Sequence, residues 1–475
     1  MYEQRLETTC GCVLGGAGPA GMGMLFNALK TGAIHDLARR GLIIVDASPT
    51  PGLGRLGDYQ ITANSVGDVF LDCLRSPEMA EVFAPLQASA AYWNIRNQAQ
   101  EAPLLSEVGE LLIEASNLVF EHILRLKGVQ LWSSTTITEV VSDGDGYQVW
   151  VEHENSRLAI HCQSLVLNLG GHQDPQHLLD ALAMQGLQLP APHSIHSADR
   201  LLRMSPKALR AYFADTLQAG GKFTVVGGSH SAFSMLENVA RALENVGLDE
   251  VTLIHRSPIR LFYESAEQAM ANGYAFDPVN DVCPVSGRVN RSGGLRYRAL
   301  AVGREVLERG FVGDTKVRAR RFQSDGADPV QHAGASQALA ESSVVIQCTG
   351  YQAVLPPMRF ADGAAITLKK VTGGLDSDPS GCPCDLSGKR LHGLHLFGLG
   401  SGLGVDPLLG SEPSFAGRIY GVWQFHHDAS RVVIESIIAK LERAEALAAK
   451  GQEVSRLLQW QQLMPGQNWS TLNLR

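Results

Sequence analysis

The chain has 475 residues, a formal net charge of -8, 45% hydrophobic residues and 19% charged residues. This length predicts two or three domains with large cores, and the acidic balance excludes the basic surface that nucleic acids require. Because no apolar run is long enough to span a membrane and no basic leader precedes the first one, we expect a cytoplasmic enzyme.

A short apolar run at the start of the chain ends in a glycine-rich turn. Gly16, Gly18 and Gly21 give the pattern G-x-G-x-x-G, and residues 22–30 predict a helix directly after it. In such a turn the first glycine permits a tight bend, the second leaves room for a pyrophosphate, and the third lets the helix approach the strand. Free N–H groups at the helix N-terminus favour phosphate. A glycine turn alone would equally suit helix packing.

The segment after this helix supplies the second part of the pattern. Residues 42–45 form another apolar run, which ends on Asp46, 25 residues after Gly21. An acid at this place accepts hydrogen bonds from ribose hydroxyls. The order of strand, glycines, helix, strand and acid predicts a dinucleotide site. Its further expected binding residues are Pro19, Ala20, Ala47 and Ile137.

A glycine-rich loop, 48–57, follows Asp46 and leads into residues 59–65. In a flavin enzyme this part of the chain passes the ring system, so Gln60 and Asn64 are the candidate catalytic residues at the flavin edge. An alternative for Asn64 is that it only caps the next helix.

The spacing of the apolar residues then changes twice along the chain. Apolar residues recur at helical spacing over 66–126, which predicts a helical insertion of the kind that often covers a substrate site. From 129 to 162 they alternate at period two around a turn at 143–146, which predicts a β-meander. The strand 164–171 runs into glycines, where we expect the first domain to end.

A second nucleotide-binding pattern begins at residue 222. The strand there leads into Gly228, Ser229 and Ser231 and a helix, and the next strand ends on Arg256. A cation at this position suits a ribose 2′-phosphate, which a carboxylate would repel, so the pattern predicts NADPH. Two observations leave alternatives open: Arg256 could be a solvated strand-end residue, and Ser229 replaces a glycine that usually leaves room for the pyrophosphate.

The last third of the chain repeats the strand-to-glycine exit. Residues 342–351 predict a return to the first domain and 392–402 predict the last strand, with a helix beginning near Pro413 whose N-terminus would face the flavin O2 side. Residues 432–447 predict an amphipathic helix. The expected cofactor-binding residues in these turns are Thr349, Gly350 and Gly400.

These motifs resemble those of the class B flavin-dependent monooxygenases, and most of all the N-hydroxylating, ornithine- and lysine-type enzymes. The resemblance rests on GAGPAG (16–21), G-G-x-x-S-A (227–232) and the C-T-G-Y exit (348–351). The run FLDCLRSP (70–77) after Gln60 is similar to the flavin-edge segment of the N-hydroxylases. Two family motifs are absent: the Baeyer–Villiger fingerprint and the N-hydroxylase substrate loop N-E-x-F, of which 272–278 is a weak analogue.

The resemblance implies an α/β fold with two Rossmann-like domains and a helical insertion. FAD would bind to 1–172 and 351–475, NADPH to 173–350, with the insertion over 66–126. It also implies that NADPH reduces FAD, that the flavin captures molecular oxygen as a C4a-hydroperoxide, and that oxygen passes to the uncharged amine nitrogen of a small molecule, in siderophore or natural-product biosynthesis. We expect this substrate between the insertion and the flavin, and we expect no metal.

Three alternatives remain at this point. One is a flavin oxidoreductase that inserts no oxygen, although a disulfide reductase is disfavoured because the eight cysteines include no C-x-x-C. Another is an S-oxygenase. The third is a flavoprotein whose second site has decayed at Ser229. The sequence leaves the substrate and a homo-oligomeric state open.

Overall fold

A computed structural model of the protein describes residues 7–154, 156–371, 374–403, 410–415, 417 and 426–463. Its first part forms, in chain order, β1 (Glu7–Gly15), α1 (Pro19–Lys30), α2 (Ala33–Arg40), β2 (Leu42–Val45), α3 (Gly67–Asp72), α4 (Ala80–Phe83), α5 (Ala90–Asn97), α6 (Leu105–Ile123), β3 (Val129–Trp132), β4 (Thr135–Ser142), β5 (Tyr147–His153), β6 (Ser156–Leu167) and β7 (Gly171–His172).

The large sheet is built around β1. This strand pairs in parallel with β2 on one side and β6 on the other, and its last six residues are all buried. Such a continuous apolar run is expected of a parallel strand that is covered on both faces. Strands β4, β5 and β6 form the predicted antiparallel meander, and Asp143 N–H donates to the Gly146 carbonyl at 3.3 Å in the predicted turn.

The sequence pattern assigns one strand to the wrong part of the first domain. The sequence pattern places 129–131 in the meander, but β3 pairs in parallel with β2 and so extends the Rossmann half. Period-two alternation identifies a strand without identifying its partner, because both kinds of sheet give the same spacing.

The predicted helical insertion is confirmed, and it supports the first glycine-rich region. The sequence pattern predicts that one face of this helix points inward. Five of its seven residues are buried in α6, namely Leu111, Leu112, Ala115, Val119 and Ile123. The other two, Leu118 and Leu126, are only partly buried, and Leu126 lies after the end of α6. The insertion shares its core with α1, as the edge-on contact of Phe26 with Phe83 at 5.7 Å shows. Gly109 of α6 lies directly against Gly57, so the insertion packs under the glycine-rich loop.

The middle of the chain folds into a second, all-parallel sheet in the order β11-β10-β9-β12-β8. Its elements are α7 (Pro175–Met184), β8 (Ile195–Ser197), α8 (Ala198–Leu201), α9 (Pro206–Gln218), β9 (Phe223–Val226), α10 (His230–Leu243), β10 (Glu250–His255), α11 (Ala266–Ala271), α12 (Tyr297–Glu308), β11 (Arg318–Gln323), α13 (Pro329–Glu341) and β12 (Val344–Gln347). Strand β9 lies centrally, as β1 does in the first sheet.

The chain then returns to the first sheet. The returning elements are β13 (Gln352–Ala353), β14 (Met358–Phe360), β15 (Lys370–Val371), β16 (Gly374–Leu375), β17 (Leu394–Leu396) and α14 (Asp428–Leu463). Strand β14 pairs with β4 and β17 with β6, while β7 and β13 pair with each other where the chain leaves and re-enters. The two-domain α/β fold class is therefore confirmed. The domain boundaries stay a prediction.

Two further observations bear on the sequence expectations. Pro413 and Ser414 form a turn, and most of the helix predicted after them lies outside the described residues. In the described part of the chain no helix is long and apolar enough to cross a membrane.

Candidate functional site

The first glycine turn connects β1 to α1 and is closed by an asparagine. Gly16 has φ +88°, and a Cβ there would collide with the Asn168 carbonyl. The Asn168 amide donates to the Gly16 carbonyl, and a Cβ on Gly21 would collide with that same carbonyl. The first and third glycines thus have the roles that the motif predicts, a tight turn and close helix packing.

Gly18 differs from Gly16 and Gly21 because a Cβ at position 18 would collide with no other residue. Its φ is -74°, and a Cβ would lie 3.5 Å from the Gly54 Cα, an ordinary contact distance. The Gly52 N–H donates to the Ala17 carbonyl at 2.7 Å, which holds the glycine-rich loop beside the turn. The space between Gly18 and Gly54 is a cradle that any larger side chain would fill, so a pyrophosphate at the α1 N-terminus fits here.

Asp46 lies at the carboxyl end of β2, beside the glycine turn. Its carboxylate accepts the Ala17 N–H at 2.6 Å and the Ser48 N–H at 2.8 Å. The acid therefore stabilises the turn itself, and its remaining lone pairs are available to ribose hydroxyls. Ala47, the next residue, is exposed at the same edge.

The remaining candidates of the first site lie close to the turn. Pro19 is the first residue of α1, where its missing N–H costs no helical hydrogen bond. A Cβ on Gly398, after β17, would lie 3.2 Å from the Ala20 Cβ. Ile137 is buried in β4 with its side chain against Gly15, so that side chain belongs to the core.

The second glycine turn has the same construction between β9 and α10. Gly227 has φ +148°, and a Cβ there would collide with the Cys348 carbonyl at the end of β12. A Cβ on Gly228 would lie 3.2 Å from the His255 Cβ. Ser229 is the N-cap residue of α10; it is exposed and its side chain makes no capping hydrogen bond. Its hydroxyl is therefore available to a ligand.

Arg256 follows β10 at the same sheet edge. It is exposed, and the described residues give it neither a hydrogen bond nor an ion pair. The neighbouring His255 ring is bonded to the Ser257 carbonyl at 2.9 Å, and burial lowers the pKa of His255, which keeps it neutral. Ser231 lies in the first turn of α10. Its carbonyl accepts a hydrogen bond from the Cys348 thiol at 3.7 Å.

The strand exits carry the last predicted binding residues. Thr349 and Gly350 are exposed after β12, and the Gln173 amide donates to the Gly350 carbonyl at 3.2 Å. Gly400 has φ +77°, and a Cβ there would collide with the Ala353 amide in β13. The glycine at 400 therefore has a packing reason of its own, independent of any ligand.

Gln60 is held against the second domain by its main chain. Its N–H donates to the Leu202 carbonyl at 2.8 Å, and its carbonyl accepts the Asn238 amide at 3.4 Å. The Gln60 side chain is exposed and reaches only the Asp58 carbonyl, at 3.3 Å. Asn64 is exposed too, and the capping alternative for it is wrong, because α3 begins at Gly67 with Val66 as its N-cap.

A polar network between the two domains has no counterpart in the sequence analysis. The Tyr59 hydroxyl donates to the carboxylate of Asp199, which is buried on α8, and lies 3.2 Å from the Tyr351 hydroxyl. Arg203 and Arg55 approach the same carboxylate at 3.0 and 3.6 Å. The network joins the glycine-rich loop region, the second domain and the β12 exit.

Both hydroxyls of this network stay protonated at neutral pH. Burial, as the main cause, raises the pKa of Tyr351 to about 12 and raises the pKa of Tyr59 further. Sequence reasoning missed the network because Tyr59, Asp199 and Tyr351 are separated from one another by more than a hundred residues and belong to no shared motif. The C-T-G-Y exit marked Tyr351 without indicating its partners.

No cluster of His, Cys, Asp and Glu among the described residues could hold a metal ion. All eight cysteines are free and buried. Burial raises the pKa of the Cys10, Cys12, Cys73, Cys162 and Cys348 thiols. These five are therefore poor nucleophiles.

A mixed sheet and a parallel sheet, each with a glycine turn between an interior strand and the following helix, form a fold with two dinucleotide-binding domains. The FAD-bound cadaverine monooxygenase DfoA of Erwinia amylovora is 13% identical and has a TM-score of 0.53, over 90% of this chain and 94% of that one. The ornithine N-hydroxylase KtzI of Kutzneria sp. 744, with reduced FAD, NADP+ and L-ornithine, is 15% identical with a TM-score of 0.50, over 92% and 100%.

The sequence comparison is more specific. No family model matches the chain. The CMP-5′-(3-aminopropyl)phosphonate hydroxylase of Streptomyces rubellomurinus is 32% identical over 433 residues, which cover 90% of this chain and 97% of that protein. The chain belongs to the same family as this hydroxylase, and it is an enzyme.

Proposed function

We propose that this enzyme uses FAD, NADPH and molecular oxygen to hydroxylate the amine nitrogen of an aminoalkylphosphonate that is linked to a nucleotide. The observation that carries the proposal is the 32% identity with the Streptomyces hydroxylase over nearly its whole length. A location in the cytoplasm is part of the proposal, because free thiols persist in a reducing compartment.

The two turns supply the proposed cofactor sites. FAD would be held by the first turn and its neighbours, namely Gly16, Gly18, Pro19, Ala20, Gly21, Asp46, Ala47, Ile137 and Gly400. NADPH would be held by Gly228, Ser229, Ser231, Arg256, Thr349 and Gly350. When bound, the reduced flavin supplies an electrophilic oxygen atom derived from O2. The open helix N-termini and the cradle at Gly18 support these assignments.

The protein itself would orient the reactants and keep the reaction dry. The Gln60 main chain is fixed to Leu202 of the second domain, which places the loop after the first glycine site at the domain junction. The Tyr59–Asp199–Tyr351 network holds the same junction with protonated hydroxyls. A closed junction excludes water, which limits the loss of activated oxygen as hydrogen peroxide.

The direct test supplies NADPH, 18O2 and CMP-5′-(3-aminopropyl)phosphonate and analyses the products by mass spectrometry. We expect one labelled oxygen on the amine nitrogen. Thioethers and ketones serve as competing substrates. If NADPH is consumed while no substrate gains oxygen, the protein is an oxidoreductase; if only thioethers gain oxygen, it is an S-oxygenase.

Removing the Gln60 side chain is expected to uncouple the reaction. Among the described residues, the exposed amide has no hydrogen-bond partner beyond the Asp58 carbonyl, so Gln60→Ala should leave FAD bound and the fold unchanged. More hydrogen peroxide should form per NADPH, because one polar contact at the flavin edge is lost. Peroxide yield and product yield are compared with those of Gln218→Ala, an exposed glutamine on α9. Reduced stability with unchanged coupling would make Gln60 a structural residue.

The oxidation step is expected to speed up with pH. A nitrogen must have a free lone pair to accept oxygen, and an ordinary alkylammonium resembles lysine, with a pKa of about 10.4. Between pH 6 and 9 the neutral fraction of the amine rises, so kcat/KM for the amine should rise. Burial lowers the pKa of His230 to about 4, so this histidine adds no transition in the window. A flat profile would show that the site itself removes the proton by desolvation.

A further inference from the structure

The segment between β10 and α12 carries a group of arginines and packs on the first domain. The Arg260 guanidinium donates to the Ser414 hydroxyl at 2.9 Å, and the Arg291 guanidinium donates to the Gly410 carbonyl at 3.2 Å. The Ser292 N–H donates to the buried Glu412 carboxylate at 2.9 Å. This segment therefore bridges the second domain and the loop that follows β17.

Three guanidiniums, those of Arg288, Arg291 and Arg296, form what we call the arginine cluster. Arg288 is paired with Glu264 at 2.8 Å. Within the described part of the chain, neither Arg291 nor Arg296 forms an ion pair; Arg296 donates to the Arg291 carbonyl.

Two carboxylates at this contact, those of Glu412 and Asp281, accept hydrogen bonds from groups other than these arginines. Glu412 accepts the N–H groups of Ser292 and Gly293, and Asp281 accepts the Ser414 hydroxyl at 2.6 Å. Within the described ranges, Arg291 and Arg296 therefore have no carboxylate partner, and an anionic ligand can pair with them.

Arg296 is also pre-positioned. Its guanidinium lies over the Phe262 ring, 4.4 Å from the ring centre. This contact fixes the orientation of the guanidinium N–H donors and leaves their positive charge in place. Burial, followed by the charges of Arg288 and Arg291, lowers the pKa of Arg296. The backbone around it is strained, with φ +47° at Asn290 and φ +49° at Tyr297. Strained backbone of this kind is frequent at ligand sites.

The cluster adjoins the second glycine turn. The Arg296 N–H donates to His230 Nε2 at 3.0 Å, and His230 is the first residue of α10. The Arg291 guanidinium also donates to the Gly410 carbonyl, in the segment that follows β17. A molecule bound by the cluster would therefore lie beside the second glycine turn.

We propose that Arg291 and Arg296 bind the phosphonate–phosphate group of the nucleotide-linked substrate. The inference rests on the proposed function for the identity of the substrate. Guanidinium groups match phosphate-type oxygens with paired, charge-assisted hydrogen bonds, and two of them suit a doubly anionic linkage. The site thus selects an amine that carries a phosphate-type anion over an amine that carries none.

The test compares Arg291→Met and Arg296→Met with the wild type. Methionine preserves packing over Phe262 while removing the charge. Loss of a hydrogen bond to a charged group should raise KM for CMP-5′-(3-aminopropyl)phosphonate by roughly 10- to 150-fold in each variant. The KM for NADPH and the turnover of propylamine, which has no anion, should change by less than about twofold. Arg304→Met is the matched control, because Arg304 stacks on Tyr263 and donates to Asn272.

A second measurement separates this inference from the proposed function. Cytidine 5′-monophosphate is titrated calorimetrically into the oxidised holoenzyme with the NADPH site saturated by NADP+. Binding by the wild type that both variants lose supports the cluster, even if no amine is hydroxylated. Equal CMP binding in all proteins, or an equal rise of KM for NADPH, would overturn the inference. Arg291→Lys and Arg296→Lys provide folded variants that keep the charge without the fork.

Discussion

A Gly18→Val protein is expected to fold but to purify without FAD. The residue at 18 has φ -74°, so valine can adopt the backbone conformation there. A Cβ would meet only Gly54, at 3.5 Å, and the two additional methyl groups would extend into the cradle between the turn and the loop. The pyrophosphate would occupy that same space, so the side chain excludes the cofactor without disturbing the core.

Two neighbouring substitutions make the test specific. Gly18→Ala adds only a Cβ at ordinary contact distance and should retain part of the FAD. Gly16→Ala places a side chain at φ +88° against the Asn168 carbonyl, so it should lower the free energy of unfolding whether or not FAD is present. The two glycines therefore have different roles: a side chain at 18 would block the cofactor, whereas a side chain at 16 would destabilise the fold.

Flavin absorbance per polypeptide is measured after purification in the presence of FAD, and thermal unfolding is compared for the apo forms. Saturation at 100 times Kd stabilises a protein by about 2.7 kcal/mol, so the wild type should gain this on adding FAD while Gly18→Val gains nothing. A folded Gly18→Val protein with a full complement of flavin would show that the first turn is not the FAD site.

Local patterns were sufficient for the two glycine turns and for most of the strands, although they missed the pairing of β3 with β2. The strand–glycine–helix order around Gly16 and Gly228 fixes the chain path within about ten residues, because the glycines, the helix start and the buried strand are adjacent in sequence. The fold class followed because the strand–glycine–helix pattern occurs twice in the chain. The meander followed from its period and its Asp-Gly turn.

Contacts between distant segments were not accessible in this way. The Tyr59–Asp199–Tyr351 network and the arginine cluster depend on how the segments meet, and no spacing rule encodes this. Asn64 shows the same limit on a small scale, because a capping residue type was present but the helix began three residues later. The arginines of 288–296 were visible in the sequence, yet only the three-dimensional structure shows that Arg288 is paired with Glu264 while Arg291 and Arg296 have no carboxylate partner among the described residues.

The second large effect concerns the choice of nicotinamide nucleotide. Arg256→Ala is expected to weaken NADPH binding by roughly 10- to 150-fold and to leave NADH nearly unchanged. Arg256 follows β10, the strand beside the second glycine turn, where the adenosine ribose would lie. A bidentate guanidinium contact to the 2′-phosphate is charge-assisted, and NADH lacks that phosphate.

The structure removes the main structural explanation for such a loss. Arg256 is exposed and forms no ion pair with any described residue, so its removal should change the free energy of unfolding by no more than about 0.5 kcal/mol. Arg256→Lys keeps the charge but loses the fork, so its affinity for NADPH should be intermediate. The control is Arg309→Ala, which removes an exposed arginine that is paired with Glu305 on α12.

Both nucleotides are titrated while flavin reduction is followed under anaerobic conditions, which keeps oxygen chemistry out of the measurement. A selective loss of NADPH affinity also argues against a decayed second site. If NADPH did not bind to the wild type, Arg256→Ala could not weaken its binding. Equal losses for NADPH and NADH would instead assign Arg256 a structural role at the end of β10. The 2′-phosphate contact would then have to come from another residue of the second domain.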